Sequence, residues 1–148
     1  MNMQDIFTED KGRGTPLVLV HGFLGSSDMW GPQIKFFKDN FRVIAPALPG
    51  FGNSSDINSC NSIECMARAI LNLLEKKKIK NFNLLGHSMG GMIVQEMTKL
   101  VGGKILKFIC YGTGPRGNTL GRFETIDQSR EKFKINGLDV TANRIAKT

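Results

Sequence analysis

The stretch Phe82-Asn83-Leu84-Leu85-Gly86-His87-Ser88-Met89-Gly90-Gly91-Met92-Ile93 decides how this chain folds. An apolar run leads into Gly-His-Ser-Met-Gly, after which Met92, Ile93, Met97, Leu100 and Val101 recur at helical spacing. The reading is strand, sharp turn, helix. G-x-S-x-G is the pattern of a turn that lifts a nucleophilic hydroxyl above the end of a sheet, and it places Ser88 there. Side chains at Gly86 or Gly90 would clash where strand and helix approach each other closely. Ser88 itself is expected in a strained backbone conformation. The N–H of Met89, at the helix start, then points toward the place where negative charge develops on a substrate oxygen.

Five residues with three fixed positions recur by chance, so the flanking chain has to carry the case. Upstream, Leu17-Val18-Leu19-Val20 is a continuous apolar run, as in a strand covered on both faces, and it runs into His21-Gly22-Phe23-Leu24-Gly25. Ser26 and Ser27 can cap a helix starting near Asp28, with Trp30, Ile34 and Phe37 on its apolar side. A second strand, Phe41 to Ala45, stops at Pro46 and gives way to Leu48-Pro49-Gly50-Phe51-Gly52-Asn53-Ser54-Ser55, a turn-rich segment. A long loop then reaches Asn61 or Ser62. Beyond it Ile63, Met66, Ala67, Ile70 and Leu74 repeat at three- and four-residue steps, with Glu64 in the first turn and lysines in the last.

Downstream, Ile105 to Tyr111 forms another apolar strand. A Gly-rich connection, Gly112 to Gly121 with Pro115, leads to two expected helices, one around Phe123 to Ile135 and one beginning near Val140. Strands alternating with amphipathic helices indicate an α/β fold, a mostly parallel sheet with helices on both faces.

With these elements in order, Pro16 through Tyr111 resembles the first part of the α/β-hydrolase fold, about two-thirds of the chain. The resemblance implies that Ser88 attacks an acyl carbon while the N–H groups of Met89 and Phe23 bind the resulting oxyanion. Gly22 and Gly25 would let the upstream loop come close to the substrate, and His21, Gly22, Gly86, His87 and Gly90 would support the motifs structurally. Ala47 departs from relatives that carry an aspartate before the L-P-G-F-G-type turn, a position not usually catalytic. The family order is serine, then Asp or Glu, then histidine. No histidine follows Ser88, and Asp127 and Asp139 are the only later aspartates. The expectation is therefore a core segment over residues 1–111, the start of a helical lid over 112–148, and an absent C-terminal half of the core that would hold the acid and base.

Gly114-Pro115-Arg116-Gly117 and Arg122-Phe123-Glu124 are faintly similar to lids of enol-lactonase-like and small-ester hydrolases. The resemblance thus implies a serine hydrolase for a small carboxylic ester, lactone or thioester, with a small-molecule acyl substrate and no cofactor. The competing reading is an inactive half-fold that serves as an interaction or structural module. An exposed edge at Ile105 to Tyr111 would invite self-association.

Composition narrows the alternatives. The formal charge is +7, but the basic residues are spread along the chain, and the densest run, Lys76-Lys77-Lys78 with Lys80, closes an expected helix where cations suit the dipole. A solvated basic surface is favoured over nucleic-acid binding. No apolar stretch is long enough to span a bilayer, and the first residues do not read as a signal peptide, which makes a cytoplasmic location the expectation. Cys60, Cys65 and Cys110 are odd in number without C-x-x-C spacing, so neither a disulfide framework nor a metal site is expected.

Overall fold

The computed structural model describes residues 5–114 and 126–146, which fall into two units on either side of residue 115. The first unit is built on a sheet in the order β1-β3-β2-β4-β5, where β1 is Thr8–Lys11, β2 Thr15–Val20, β3 Phe41–Pro46, β4 Phe82–His87 and β5 Ile105–Tyr111. All neighbours run parallel except β1, which pairs antiparallel with β3. The crossovers are made by α1 (Gly31–Phe37), α2 (Ile63–Lys76) and α3 (Met89–Val101).

Period-two alternation sorts the central strands onto two cores. Val18 and Val20 of β2, Ile44 of β3 and Phe82 and Leu84 of β4 join Met66, Ala67, Ile70, Leu73 and Leu74 of α2 and Ile93, Val94 and Met97 of α3. Leu17, Leu19, Val43 and Ala45 point the other way and meet Trp30, with Ile34 and Phe37 of α1 against them. Helices therefore cover both faces, as continuous apolar strands require. Each fully buried Leu, Ile or Val contributes about 1.5–3 kcal/mol relative to exposure, and the strand centres hold several of them.

The helix starts follow the sequence signals. Ser26 Oγ accepts the Asp28 N–H at the short 3-10 turn Ser27–Trp30, which leads into α1. Ser62 Oγ accepts the Cys65 N–H at 3.1 Å and caps α2. Glu64 and Arg68 pair one turn apart on its exposed side.

Three features differ from the sequence reading. The first is β1, whose Thr-Glu-Asp-Lys sequence has no apolar alternation; it is held by its ladder to β3 and by Asp10, which binds Arg42 and Lys77. The second is a correction: Cys60 and Cys65 are joined as a disulfide with Cα atoms 5.6 Å apart, leaving Cys110 as the free cysteine. The turn capped by Ser62 folds Cys60 back onto the first turn of α2, a proximity that spacing alone does not reveal. The third is a refinement: the turn-rich segment after β3 contains a 3-10 turn at Gly52–Ser54.

β5 forms the sheet edge opposite β1. Leu106, Phe108, Ile109 and Tyr111 are 54%, 52%, 56% and 67% exposed, so its apolar side chains are about half exposed, although α3 packs against one face, where Cys110 Sγ donates to the Gly91 carbonyl.

The second unit is the helical segment α4 (Ile126–Ala146), interrupted at Gly137, whose φ of 75° and ψ of −177° break it into two stretches. Two helices were expected in this region. Phe123 to Thr125 and the Gly-rich connection beyond Gly114 lie outside the described residues.

Candidate active site

Ser88 stands between the last residue of β4 and the first of α3, with φ 54° and ψ −120°. Few non-glycine residues adopt a positive φ, and here the surroundings enforce it. Its N–H donates to the Tyr111 carbonyl at 2.9 Å, tying the turn to β5, and its carbonyl accepts the Gly91 N–H at 2.9 Å, opening α3. The flanking glycines meet backbone on both sides. A Cβ on Gly86 would run into the carbonyl of Gly90, and one on Gly90 would run into the carbonyl of Val20. The turn therefore holds β2, β4 and α3 at backbone contact, and the half-buried Ser88 side chain is left at its tip.

The loop after β2 comes to the same place. A Cβ built on Gly22 would lie 2.9 Å from Ser88 Cβ and 3.4 Å from its Oγ. Gly22 to Gly25 closes a tight turn, with the Gly25 N–H on the Gly22 carbonyl at 3.1 Å and Leu24 at φ 59°. Phe23 projects from this turn, 59% exposed, with its ring edge-to-face on Phe51 at 6.2 Å. Met89, on the other side of Ser88, is half-buried against the α2–α3 core.

His21 locks this loop to the next. Its fully buried ring accepts the Leu48 N–H on Nε2 at 3.0 Å, which puts the proton on Nδ1, and Nδ1–H donates to the Gly22 carbonyl at 2.8 Å. Burial holds its pKa below the ordinary histidine value, while the Gly22 hydrogen bond partly opposes that shift. His21 thus acts as a neutral strut and has no nitrogen free to accept another proton. His87 lies beside the strand end with its ring 5.5 Å from that of Tyr111.

Of the residues singled out from sequence, Gly22, Ser88, Gly86 and Gly90 come together at one strand end, with Phe23 and Met89 adjoining in the chain. Ser54 was not foreseen: its Oγ donates to the Ala47 carbonyl at 3.0 Å and accepts the Phe7 N–H at 2.9 Å, fastening the turn after β3. Ala47 itself is fully buried. Among the described residues no cluster of three His, Cys, Asp or Glu side chains suits a metal ion, and no helix is long and apolar enough to cross a membrane.

Comparison with known proteins gives this arrangement a relationship. The (E)-2-((N-methylformamido)methylene)succinate hydrolase of Acinetobacter baylyi is 28% identical over 131 residues, 88% of this chain and 49% of that protein. The pimeloyl-[acyl-carrier protein] methyl ester esterase of Photobacterium profundum is 32% identical over 108 residues, 73% of this chain and 41% of that protein. Among solved structures, a thermophilic esterase from Thermogutta terrifontis superposes with a TM-score of 0.83 at 30% identity, covering 94% of this chain and 52% of that one. The chain spans about half the length, or less, of the curated relatives it matches. Residues 15–134 match the family model described as alpha/beta hydrolase fold, and the chain belongs to that family.

Proposed function

We propose that this chain is part of a serine hydrolase acting on a small carboxylic ester, lactone or thioester, with Ser88 as nucleophile. The observation that carries the reading is the backbone of Ser88 at φ 54° on a strand-to-helix turn, with Gly22 packed against its side chain. That geometry suits a nucleophile elbow. Relatives described as esterases and hydrolases support the reaction class.

In this reading Ser88 Oγ adds to the acyl carbon as a base takes its proton, and the N–H groups of Phe23 and Met89 hold the carbonyl oxygen as it becomes negative. Collapse of the tetrahedral species breaks the bond to the leaving alcohol or thiol, which receives the proton. Water then repeats the sequence on the acyl-enzyme and regenerates Ser88. In this reading another part of the protein would supply the acid and the histidine that orient and accept protons: His21 is committed to two backbone groups, and among residues 1–148 no histidine follows Ser88. Residues 112–148 would then begin a lid over the acyl site. A cytoplasmic location belongs to this reading, and there the Cys60–Cys65 bridge would be open to reduction.

The test uses a full-length protein that supplies the acid and histidine, with a short activated ester as substrate. Ser88→Ala should lower turnover by about a millionfold. Activity close to that of the parent would assign the reaction to another nucleophile. The second reading, a half-fold without catalysis that serves as an interaction module, is favoured by one observation, the half-exposed apolar edge at β5.

A further inference from the structure

We propose that the Cys60–Cys65 bridge is a redox control on the acyl site, acting through Ser59, Gly50 and Phe51 on the loop that carries Phe23. Its effect on turnover rests on the reading of Ser88 as nucleophile, whereas the structural coupling stands without it. The bridge sits where the chain enters α2. Ser62 caps that helix by accepting the Cys65 N–H, and the Ser62 carbonyl accepts the Met66 N–H, so Cys65 belongs to the first turn and Cys60 lies two residues before the cap. Cys65 is held by its helix, whose next residues Met66 and Ala67 are buried. The S–S bond therefore anchors Cys60 to a rigid element, much as an apolar staple fixes the entry of a chain into a helix.

From Cys60 the contacts lead to the site. Its neighbour Ser59 lies on Gly50, where a Cβ would come 2.5 Å from Ser59 Cβ and 3.1 Å from its Cα, and Gly50 turns with φ 84°. No side chain on Gly50 cushions this approach, so displacement of Ser59 acts directly on the turn after β3. The next residue is Phe51. Its N–H bonds to the Leu48 carbonyl, and its ring meets His21 at 5.5 Å and Phe23 at 6.2 Å. Gly52 makes a further close approach, to Ser26 at the end of the same loop. Phe51, Ile57 and Cys60 also share the α2–α3 core, so the segment between the turn and the bridge packs as one piece.

The bridge can open without unfolding the domain. Cys60 and Cys65 are five residues apart, and a ring that short adds little to global stability. A dithiol reductant supplies the two electrons: its thiolate attacks one sulfur of the bridge, and its second thiol then attacks the mixed disulfide at the reductant's own sulfur. Both cysteines leave as thiols with one proton each, and the reductant becomes a cyclic disulfide. A small-molecule disulfide reverses the exchange. With the bridge open, Ser59 is no longer tied to α2, and Phe51 loses part of the packing that steadies Phe23. Phe23 carries one of the two N–H groups assigned to the oxyanion. Moving such a donor weakens an interaction made in the transition state, so the effect falls on kcat rather than KM.

The experiment compares the full-length protein before and after treatment with dithiothreitol. Hydrogen exchange read by mass spectrometry should rise on reduction in peptides covering residues 50–60, while peptides from β2 and β4 stay protected. With a short activated ester, kcat should fall by about tenfold at nearly constant KM, within the hundredfold that a displacement of about 1 Å can cost, and should recover on reoxidation with glutathione disulfide. Cys60→Ser should match the reduced protein by both readings and ignore dithiothreitol, whereas Cys110→Ser should respond as the parent does. Phe51→Leu should still loosen over residues 53–60 on reduction, yet its turnover should no longer respond. Ser88→Ala separates the two ideas: if ester turnover survives in it, the hydrolytic reading fails, and the exchange data alone decide whether the bridge controls the loop. Absence of a Cys60–Cys65 bridge after mild oxidation, exchange that ignores reduction, a Ser88-dependent kcat that ignores it, or a response that persists in Cys60→Ser or in Phe51→Leu would each overturn the proposal. If Phe51→Leu does not fold, Cys60→Ser decides.

Discussion

Gly22 and Ser88 are in contact: the position a Cβ would take on Gly22 lies 2.9 Å from Ser88 Cβ, closer than side-chain carbons approach. The loop after β2 and the turn after β4 are therefore fitted to each other through the absence of one methyl group. Gly22→Ala should cost about 1–3 kcal/mol by overpacking, as the loop moves off Ser88. Gly90→Ala should cost more, because its Cβ meets the Val20 backbone carbonyl, which cannot rotate away. Urea unfolding midpoints of the two variants check both the size and the order. Equal midpoints with the parent would mean that the turn is looser than described.

The strain at Ser88 makes a second, opposite prediction. At φ 54° and ψ −120° any Cβ is unfavourable, so Ser88→Gly should stabilise the domain by about 1 kcal/mol, while Ser88→Ala should leave it nearly unchanged. A serine chosen for local stability would show the reverse order. The comparison needs only chemical denaturation and does not depend on turnover.

The cysteines give a direct chemical count. With Cys60 and Cys65 bridged, alkylation of the unreduced, unfolded chain should modify Cys110 alone, and prior reduction should expose all three cysteines. Mass spectrometry of the two samples reads the difference. Three alkylated cysteines without reduction would remove the bridge from the fold.

What the sequence made legible follows from physics acting over short range. The β4–Ser88–α3 turn could be read because its glycines, its apolar strand and its helical repeat lie within about twenty residues of one another. The continuous apolar run of β2 identified a strand buried on both faces. By contrast, β1 is a strand only because β3 is beside it, and its Glu9, Asp10 and Lys11 carry no alternation of their own. Ser54 was missed for the same reason. Its hydroxyl joins Ala47 to Phe7, and that contact spans 47 residues on one side. The gap from Cys60 to Cys65 acquires meaning only once the Ser62 cap has turned the chain. The oxyanion donors assigned to Phe23 and Met89 came from motif position, and their role stands as part of the proposed function.

Asp10 gathers the interactions that hold β1, so its ionisation should set acid stability. It accepts Arg42 through Nε at 2.9 Å and Nη2 at 2.7 Å, and Lys77 Nζ at 2.8 Å. The Arg42 hydrogen bonds lower its pKa most, burial opposes them, and Lys77 adds to the lowering, leaving the carboxyl at about 2 against an ordinary 3.8. A depressed carboxylate pKa contributes stability that is complete above the unfolded value and is lost as pH falls through the folded one. The loss should therefore run from about pH 4 to pH 2. After solvent screening the contribution is about 1–2 kcal/mol, and Asp10→Asn should remove it at pH 7 and flatten the acid limb. An unchanged limb in that variant would place the acid sensitivity elsewhere.

His21 governs a different pH range, because the neutral ring is the form that the fold uses. Nε2 must keep its lone pair to accept the Leu48 N–H, and a proton added there would turn that contact into two donors facing each other inside a fully buried site. Burial lowers the pKa of this histidine, so between its folded value and the ordinary value near 6.5 the unfolded chain binds more protons than the folded one. Stability must then rise with pH across that interval. It is complete above about pH 6.5 and declines as pH falls toward the folded pKa. Asp10 contributes nothing to this slope, since its window lies below pH 4. Unfolding midpoints measured from pH 8 to pH 5 should fall for the parent, and His21→Gln should abolish that slope while lowering stability throughout, because glutamine cannot place an acceptor and a donor as the ring does. The same loss should loosen Gly22 against Ser88, since Nδ1–H holds the Gly22 carbonyl. A parent curve flat from pH 8 to pH 5, or a slope that survives in His21→Gln, would mean that the ring is not the neutral strut joining the two loops.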